Sequence, residues 1–481
     1  MRESTLTAAA VRKVPTGIPG LDEITHGGLP AGRPTLVCGG PGSGKTLLGI
    51  TFLVKGALEF GEPGVLMSFE ETAEELAEDV GSLGFDLSGL IEQGKLVVDY
   101  VHVDRSEIEE TGEYDLEGLF VRLEHAVTSI GARRVVLDTI ESLFAGLANE
   151  AILRAEIRRL FRWLRDRGLT VLITGEKGET TLTRHGLEEY VTDAVIQLDH
   201  RVCDQISTRR LRVVKYRGSH HGTNEYPFLI DEDGVGVLPV TSLTLQHPAS
   251  SERISSGLAQ LDDMLGGAGF YRGSTVLVSG TAGTGKTTLA AHFVNAACGR
   301  GDRCMYFLFE ESPQQMLRNM RSCGIDLAPS VDNGLLQFHA DRPSRHGLET
   351  HLVMMHRAVD LFRPDIVVVD PMTNLLTVGT ETDVRAMLTR LIDFLKVRNV
   401  TALFTSLTSA AGELETTETM VSSLMDTWIL TSTETAERVR QRWIYVLKAR
   451  GTAHSDEMRE FRITDGGIDI RPARNTKRGG R

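Results

Sequence analysis

The chain has 481 residues and a formal net charge of −13, with 41% hydrophobic and 24% charged residues, the proportions of an ordinary globular protein of several domains. The acidic balance argues against nucleic-acid binding, because a protein that neutralises phosphates carries a basic footprint. No apolar run approaches about 18 residues and the N-terminus lacks the apolar core of a secretory signal, so a membrane span is not expected and a cytosolic location is.

In chain order, the first strong signal is a short apolar run, Pro34-Thr-Leu-Val-Cys38, that leads into Gly39-Gly-Pro-Gly-Ser-Gly-Lys-Thr46 and then a helix-like segment. This is G-x-x-x-x-G-K-[ST] in its required strand-to-helix context. Its glycines let successive backbone N–H groups close on phosphate oxygens, at the positive end of the helix that follows. Gly42, Ser43, Gly44, Lys45, Thr46 and Leu47 are therefore expected to bind ATP, with Lys45 reaching the β- and γ-phosphates and Thr46 on Mg²⁺. Leu66-Met-Ser-Phe-Glu70-Glu71 reads as a strand ending in two acids, before a helix over Thr72 to Leu83. Alternation of side chains along a strand predicts that the two acids diverge. Glu70 is then expected to take the proton of the attacking nucleophile, with Glu71 in support. Val135-Val-Leu-Asp138 is an apolar strand that delivers Asp138 to the carboxyl edge of a sheet, where it would hold Mg²⁺ through water. A helix over Ala151 to Arg167 and a strand over Leu211 to Tyr216 follow, the latter bearing Lys215 and leading to Arg217.

Beyond a polar, proline-containing join at 243–251 the same unit is written again, in the same order and at a nearly constant offset. Gly280-Thr-Ala-Gly-Thr-Gly-Lys-Thr287 answers the first loop and makes Gly283, Thr284, Gly285, Lys286, Thr287 and Thr288 the second set of ATP contacts. Phe307-Leu-Phe-Glu310-Glu311 supplies a second acid pair, with Glu310 as base and Glu311 in support. Ile366-Val-Val-Val-Asp370 supplies a second Mg²⁺ acid, and Lys448 and Arg450 answer Lys215 and Arg217. Apolar β-branched runs alternating with helical segments predict two α/β domains, each a mainly parallel sheet flanked by helices. The expected bounds are 1–245, 246–470 and a short basic tail at 471–481. Lys215/Arg217 and Lys448/Arg450 have the period-two spacing that puts both cations on one side of a strand, from which they could be offered to a neighbouring subunit's γ-phosphate, implying a ring. The cysteines Cys38, Cys203, Cys298, Cys304 and Cys323 form no Cys-x-x-Cys pair, and are expected to be reduced core residues.

These motifs, together with Thr174-Gly-Glu-Lys177, Gly186-Leu-Glu-Glu-Tyr-Val-Thr-Asp193, Lys215-Tyr-Arg-Gly-Ser-His220 and Arg459-Glu-Phe-Arg-Ile-Thr-Asp465, resemble the KaiC family of the RecA-like superfamily over nearly the whole length. The resemblance implies two tandem RecA-like P-loop NTPase domains in a hexamer of two stacked rings, with ATP between subunits. It also implies slow ATP hydrolysis in the first ring, Ser/Thr autophosphorylation in the second, and KaiB-like or other signalling proteins as partners. Internal alignment places Ser422 and Ser423 where the first half has Glu189 and Tyr190, and Ser422-Ser-Leu-Met-Asp-Thr427 resembles the family's phosphorylated segment without a gap. Both serines are therefore the expected phosphoacceptors. Clock members of the family run on into a tail gripped by KaiA, whereas this sequence stops at Arg481, so KaiA dependence is not expected. Two other readings stay open: an ATP-gated hexameric signalling scaffold without kinase output, and a RecA-type DNA-dependent ATPase, since the fold serves recombinases and helicases too.

Overall fold

The computed structural model describes residues 11–101, 117–143, 150–178, 181–183, 192–203, 206–232, 234–239, 249–408, 423–436 and 439–471. It divides into two compact units, Met1–Ser242 and Leu243–Arg481.

In the first unit a nine-stranded sheet runs, from edge to edge, through Leu96–Tyr100, Gly64–Ser68, Arg134–Asp138, Thr170–Glu176, Pro34–Gly39, Ala194–Cys203, Ile206–Tyr216, Glu225–Asp231 and Gly234–Val237. The first six strands of that order are mutually parallel and the last three join antiparallel. Strands buried on both faces are near-continuous apolar runs, and Pro34–Gly39, Gly64–Ser68 and Arg134–Asp138 are buried at every residue, with Arg134 and Asp138 the charged exceptions at the strand ends. The helix Lys45–Glu59 covers one face, packing Leu48, Phe52 and Leu53 with Leu66, Val136 and Leu172. Glu117–Ile130 and Glu150–Asp166 cover the other, with Leu123, Ile157, Leu160 and Phe161 against Val65, Leu137 and Ile173.

The second unit repeats the plan strand for strand: Leu336–Ala340, Cys304–Leu308, Ile366–Asp370, Thr401–Leu407, Thr275–Gly280, Thr427–Ala436, Val439–Ala449, Arg459–Thr464 and Gly467–Arg471. Even the irregularity recurs, a register shift at Val195/Ile196 in the first sheet and at Trp428/Ile429 in the second. The helix Lys286–Gly299 packs Leu289, Phe293 and Val294 with Tyr306, Val368 and Leu403. Two RecA-like P-loop domains in tandem are the architecture.

The expected helices form close to their expected limits. Thr72 and Glu75 close a capping box that starts Ala73–Gly81, and Ser312 with Gln315 does the same for Pro313–Ser322. The strands bearing Lys215 and Lys448 are longer than the apolar runs alone indicate, because each gains cross-strand partners on both sides.

Candidate nucleotide-binding sites

Each P-loop turns from strand to helix through a left-handed residue just before the lysine, Gly44 at φ 95° and Gly285 at φ 97°. A Cβ at Gly44 would also lie 2.8 Å from Ile230 Cδ1, and one at Gly285 2.9 Å from Ile463 Cδ1. Only glycine meets both conditions. Among the described residues no side chain caps the helix N-terminus behind either loop, so its N–H groups remain for an anion. Lys45 Nζ donates to the loop carbonyls of Gly39 and Gly40, both at 3.0 Å, and Lys286 Nζ to those of Gly280 and Thr281 at 2.8 and 2.9 Å. Gly42 is left-handed at φ 68° and Gly283 at φ 77°, while Ser43 and Thr284 are buried beneath the loops. Leu47 packs at the margin of the first core and Thr288 is buried in the second helix.

Asp138 and Asp370 end their strands beside these loops, both buried. Asp138 Oδ2 accepts from Thr46 Oγ1 at 2.8 Å and Oδ1 from the Thr174 hydroxyl. Burial pushes the Asp138 carboxyl up from its ordinary range, against the pull of those two hydroxyls. Asp370 accepts from Thr405 and from the Tyr306 hydroxyl, the latter at 2.7 Å. Among the described residues Thr287 makes no hydrogen bond to Asp370, unlike its counterpart Thr46. The peptide bond after each acid is cis, Asp138–Thr139 and Asp370–Pro371, so Pro371 stands at a bond that is cis in both units.

The strands stop at Ser68 and Leu308, and the acid pairs lie in the bend that follows. Their divergence comes from that bend rather than from strand alternation. Glu70 is exposed and its Oε1 accepts from Ser142 Oγ at 2.8 Å; Glu310 is exposed and its Oε1 accepts from Asn374 Nδ2 at 3.1 Å. Glu71 is half-buried, and burial, then the charges of Asp79, Asp138, Glu70 and Glu75, raise its pKa. Glu311 accepts from Asn319 Nδ2 at 3.2 Å. Ser142 and Asn374 were not among the sequence candidates; internal alignment pairs them, but nothing local in either position marks a partner for an acid more than sixty residues upstream.

Lys215 and Lys448 lie at the ends of their strands, while Arg217 and Arg450 sit in the turns just after, so the two cations of a doublet are not held by one strand. Lys215 Nζ donates to the Thr192 carbonyl at 2.6 Å. Burial, then the Arg450 charge, lowers the Lys448 pKa. Arg450 donates to the Ser423 carbonyl at 2.7 Å and lies 3.6 Å from Asp426. Ser423 is exposed; Ser422, like Glu189 and Tyr190, lies outside the described residues.

The ladders fix where these groups stand relative to the loops. Lys215 is opposite Val195, which is opposite Leu36 near the start of Pro34–Gly39. Lys448 is opposite Trp428, which is opposite Leu277, and Asp426 N donates to Thr275 O at the start of Thr275–Gly280. The P-loops leave the far ends of these same strands, about 10 Å along the strand from the level of the lysines and about 16 Å from that of the arginines, whose N–H groups donate to the carbonyls of Asp193 and Asp426 at the strand starts. Each unit therefore brings its P-loop, Mg²⁺-acid candidate and Glu pair to one sheet edge, and its Lys-x-Arg motif to the opposite edge.

Among the described residues no group of three or more His, Cys, Asp or Glu side chains could hold a metal by itself. The Thr46 hydroxyl on the Asp138 carboxylate is an all-oxygen donor set, which fits Mg²⁺ bound jointly with phosphate oxygens and water. Cys38, Cys298 and Cys304 are buried and Cys323 is half-buried. Among the described residues no helix is long and apolar enough to cross a membrane.

Fold and loop geometry define a tandem P-loop ATPase of the RecA-like class. The family model "ATPase: KaiC" matches residues 14–242 and again 254–475. The chain is 56% identical over 460 residues to the circadian clock protein KaiC2 of Synechocystis sp., covering 95% of this chain and 81% of that protein. It is 36% identical to the circadian clock oscillator protein KaiC of Synechococcus elongatus, over 98% of this chain and 91% of that one. It is 37% identical to KaiC3 of Synechocystis sp., over 97% and 93%. The chain belongs to the KaiC family, and is an ATP-using enzyme.

Proposed function

We propose that the first unit, 1–245, is a slow ATPase and the second, 246–470, a Ser/Thr autokinase, joined in a hexameric double ring that serves circadian-type or other signalling in the cytosol. The observation that carries this reading is the placement of each unit's Lys-x-Arg motif towards the opposite strand ends from its own P-loop, about 10 Å away along the strand for the lysine and about 16 Å for the arginine. Neither cation can reach its own loop's phosphates, and Ser423 lies beside Arg450 at that same remote edge. A site that uses them is completed by the adjoining copy.

In each site the loop N–H groups and Lys45 or Lys286 bind the phosphates, the lysine exchanging loop carbonyls for β- and γ-oxygens. Thr46 with Asp138, and Thr287 with Asp370, hold Mg²⁺, which neutralises charge on the phosphates when bound. In the first unit Glu70 takes a proton from water as its oxygen bonds to the γ-phosphorus and the bond to the β–γ bridging oxygen breaks, releasing ADP and phosphate. In the second unit the nucleophile is the hydroxyl of Ser422 or Ser423 from the neighbour. Its proton goes to Glu310, and the products are phosphoserine and ADP. The neighbour's Lys215 and Arg217, or Lys448 and Arg450, stabilise the charge that develops. The relatives named as clock proteins support a regulatory output, for which KaiB-like or other signalling proteins are the partners this reading expects.

Mass spectrometry of the full chain after incubation with Mg-ATP is expected to find phosphate on Ser422 or Ser423, and a Ser422→Ala/Ser423→Ala protein is expected to hydrolyse ATP without acquiring it. Phosphate only at other positions, or none, removes the kinase half and leaves an ATP-gated scaffold.

A further inference from the structure

The two strand-end acids are alike in sequence and differently held. Asp138 has two threonine donors, Thr46 at Oδ2 and Thr174 at Oδ1. Asp370 keeps the second of these as Thr405, but its Oδ2 accepts from the phenol of Tyr306 at 2.7 Å. Tyr306 stands opposite Val368 in the parallel ladder, the position that Leu66 fills opposite Val136 in the first unit. From there an aromatic side chain leaning along its strand reaches the carboxylate two residues further on, on the same face of the sheet. Leucine in that position has the bulk but no donor.

The environment makes this contact permanent. Tyr306 is 0% exposed, enclosed by the core that includes Leu289, Val294 and Val368, with its ring centroid 5.8 Å from that of Phe338. Among the described residues Asp370 is the one hydrogen-bond partner of its hydroxyl. The Thr46 hydroxyl can turn from Asp138 towards a cation by rotating one bond. The phenol cannot leave Asp370 without stranding a buried hydroxyl.

We propose that Tyr306 is a positioning residue of the second nucleotide site, a fixed donor that holds the Asp370 carboxylate ready for the divalent cation. The first unit does without such a donor. Carboxylates that serve a metal are themselves oriented by hydrogen bonds, and loss of such a partner typically weakens metal affinity by about 10- to 100-fold. The two units are therefore set to different dependences on the cation by one residue in a buried strand. This rests on the reading of Asp370 as the cation's acid.

The test is a binding titration. In the full-length chain carrying Lys45→Ala, so that the second site dominates, a fluorescent ATP analogue is bound at increasing Mg²⁺ and the half-saturating Mg²⁺ concentration is read. Tyr306→Phe removes one oxygen and keeps the ring; it is expected to raise that concentration about tenfold or more, with the nucleotide-free melting temperature recorded alongside. Asp370→Asn is expected to raise it as well. If Asp370→Asn leaves it unchanged, the reading of Asp370 fails. If Asp370→Asn raises it and Tyr306→Phe stays within about twofold of the parent, Tyr306 is a core residue only and the proposal is overturned. Should Tyr306→Phe not fold, Tyr306→Leu carries the same expected shift and the same overturning result, since leucine is the residue the first unit accommodates at this position.

Discussion

At the scale of single residues, the P-loop lysines and the glutamates of the acid pairs rest on partners they can exchange. Lys45 and Lys286 rest on loop carbonyls at 2.8–3.0 Å, neutral acceptors that phosphate oxygens outcompete because a hydrogen bond between ions is the stronger one. Glu70 and Glu310 each accept from a small polar side chain, Ser142 or Asn374, which orients the carboxylate and leaves its second oxygen for a proton. Glu70→Gln is therefore expected to lower phosphate release from the first unit by about 10²-fold while nucleotide affinity stays within about twofold. Equal losses in turnover and affinity would make Glu70 a binding residue and end its assignment as base.

At the scale of elements, the two helices that close the outer face of the second sheet meet over an uncharged histidine. His356 on Leu348–Phe362 stacks on Phe394 of Glu381–Val397, with ring centroids 3.5 Å apart, and its Nε2 has no hydrogen-bond partner among the described residues. Arg398 lies against the other side of Phe394. Burial, then the Arg398 charge, lowers the His356 pKa to about 3. The unfolded chain binds this proton below about pH 6.5 and the folded chain refuses it until about pH 3, so stability is complete above pH 6.5 and is lost as pH falls through that window. His292, His339 and His351 are lowered by burial too and act in the same direction. Between pH 7 and pH 5 the His356 contribution is about 2 kcal/mol. In denaturant melts at the two pH values, His356→Phe is expected to remove about that much of the acid loss; an unchanged loss would mean that the helix pair opens to water before it titrates.

At the scale of the whole molecule, the proposed completion of each site by a neighbour would make activity a property of the assembly. In Mg-ATP the 52.7 kDa chain is expected to sediment as a particle of six copies, and to fall to smaller species when nucleotide is removed. Lys286→Ala and Arg450→Ala proteins, each without autophosphorylation alone, are expected to regain part of it on mixing, because a mixed seam can join an intact P-loop to an intact arginine. No recovery in mixed particles of the correct mass would place Arg450 and Lys286 in the same half-site.

What the sequence determined by itself is what a local backbone or a short period demands. Glycines at Gly44 and Gly285, a helix starting at Thr72, and apolar runs that end in Asp138 and Asp370 are each dictated within a few residues, and the repeated order of these signals sufficed for two α/β units and their family. The tertiary structure alone decided which remote residues meet. Antiparallel pairing of Val439–Ala449 with Thr427–Ala436, itself parallel to Thr275–Gly280, sends Lys448, Arg450 and Ser423 to the edge away from Gly280–Thr287, while parallel pairing of strands far apart in the chain brings Ser142 and Asn374 to acids upstream and lays Tyr306 against Asp370 where the first unit has only Leu66. Such meetings depend on strand order and ladder register, which arise from burial summed over whole faces and leave no mark at any one of the residues they join.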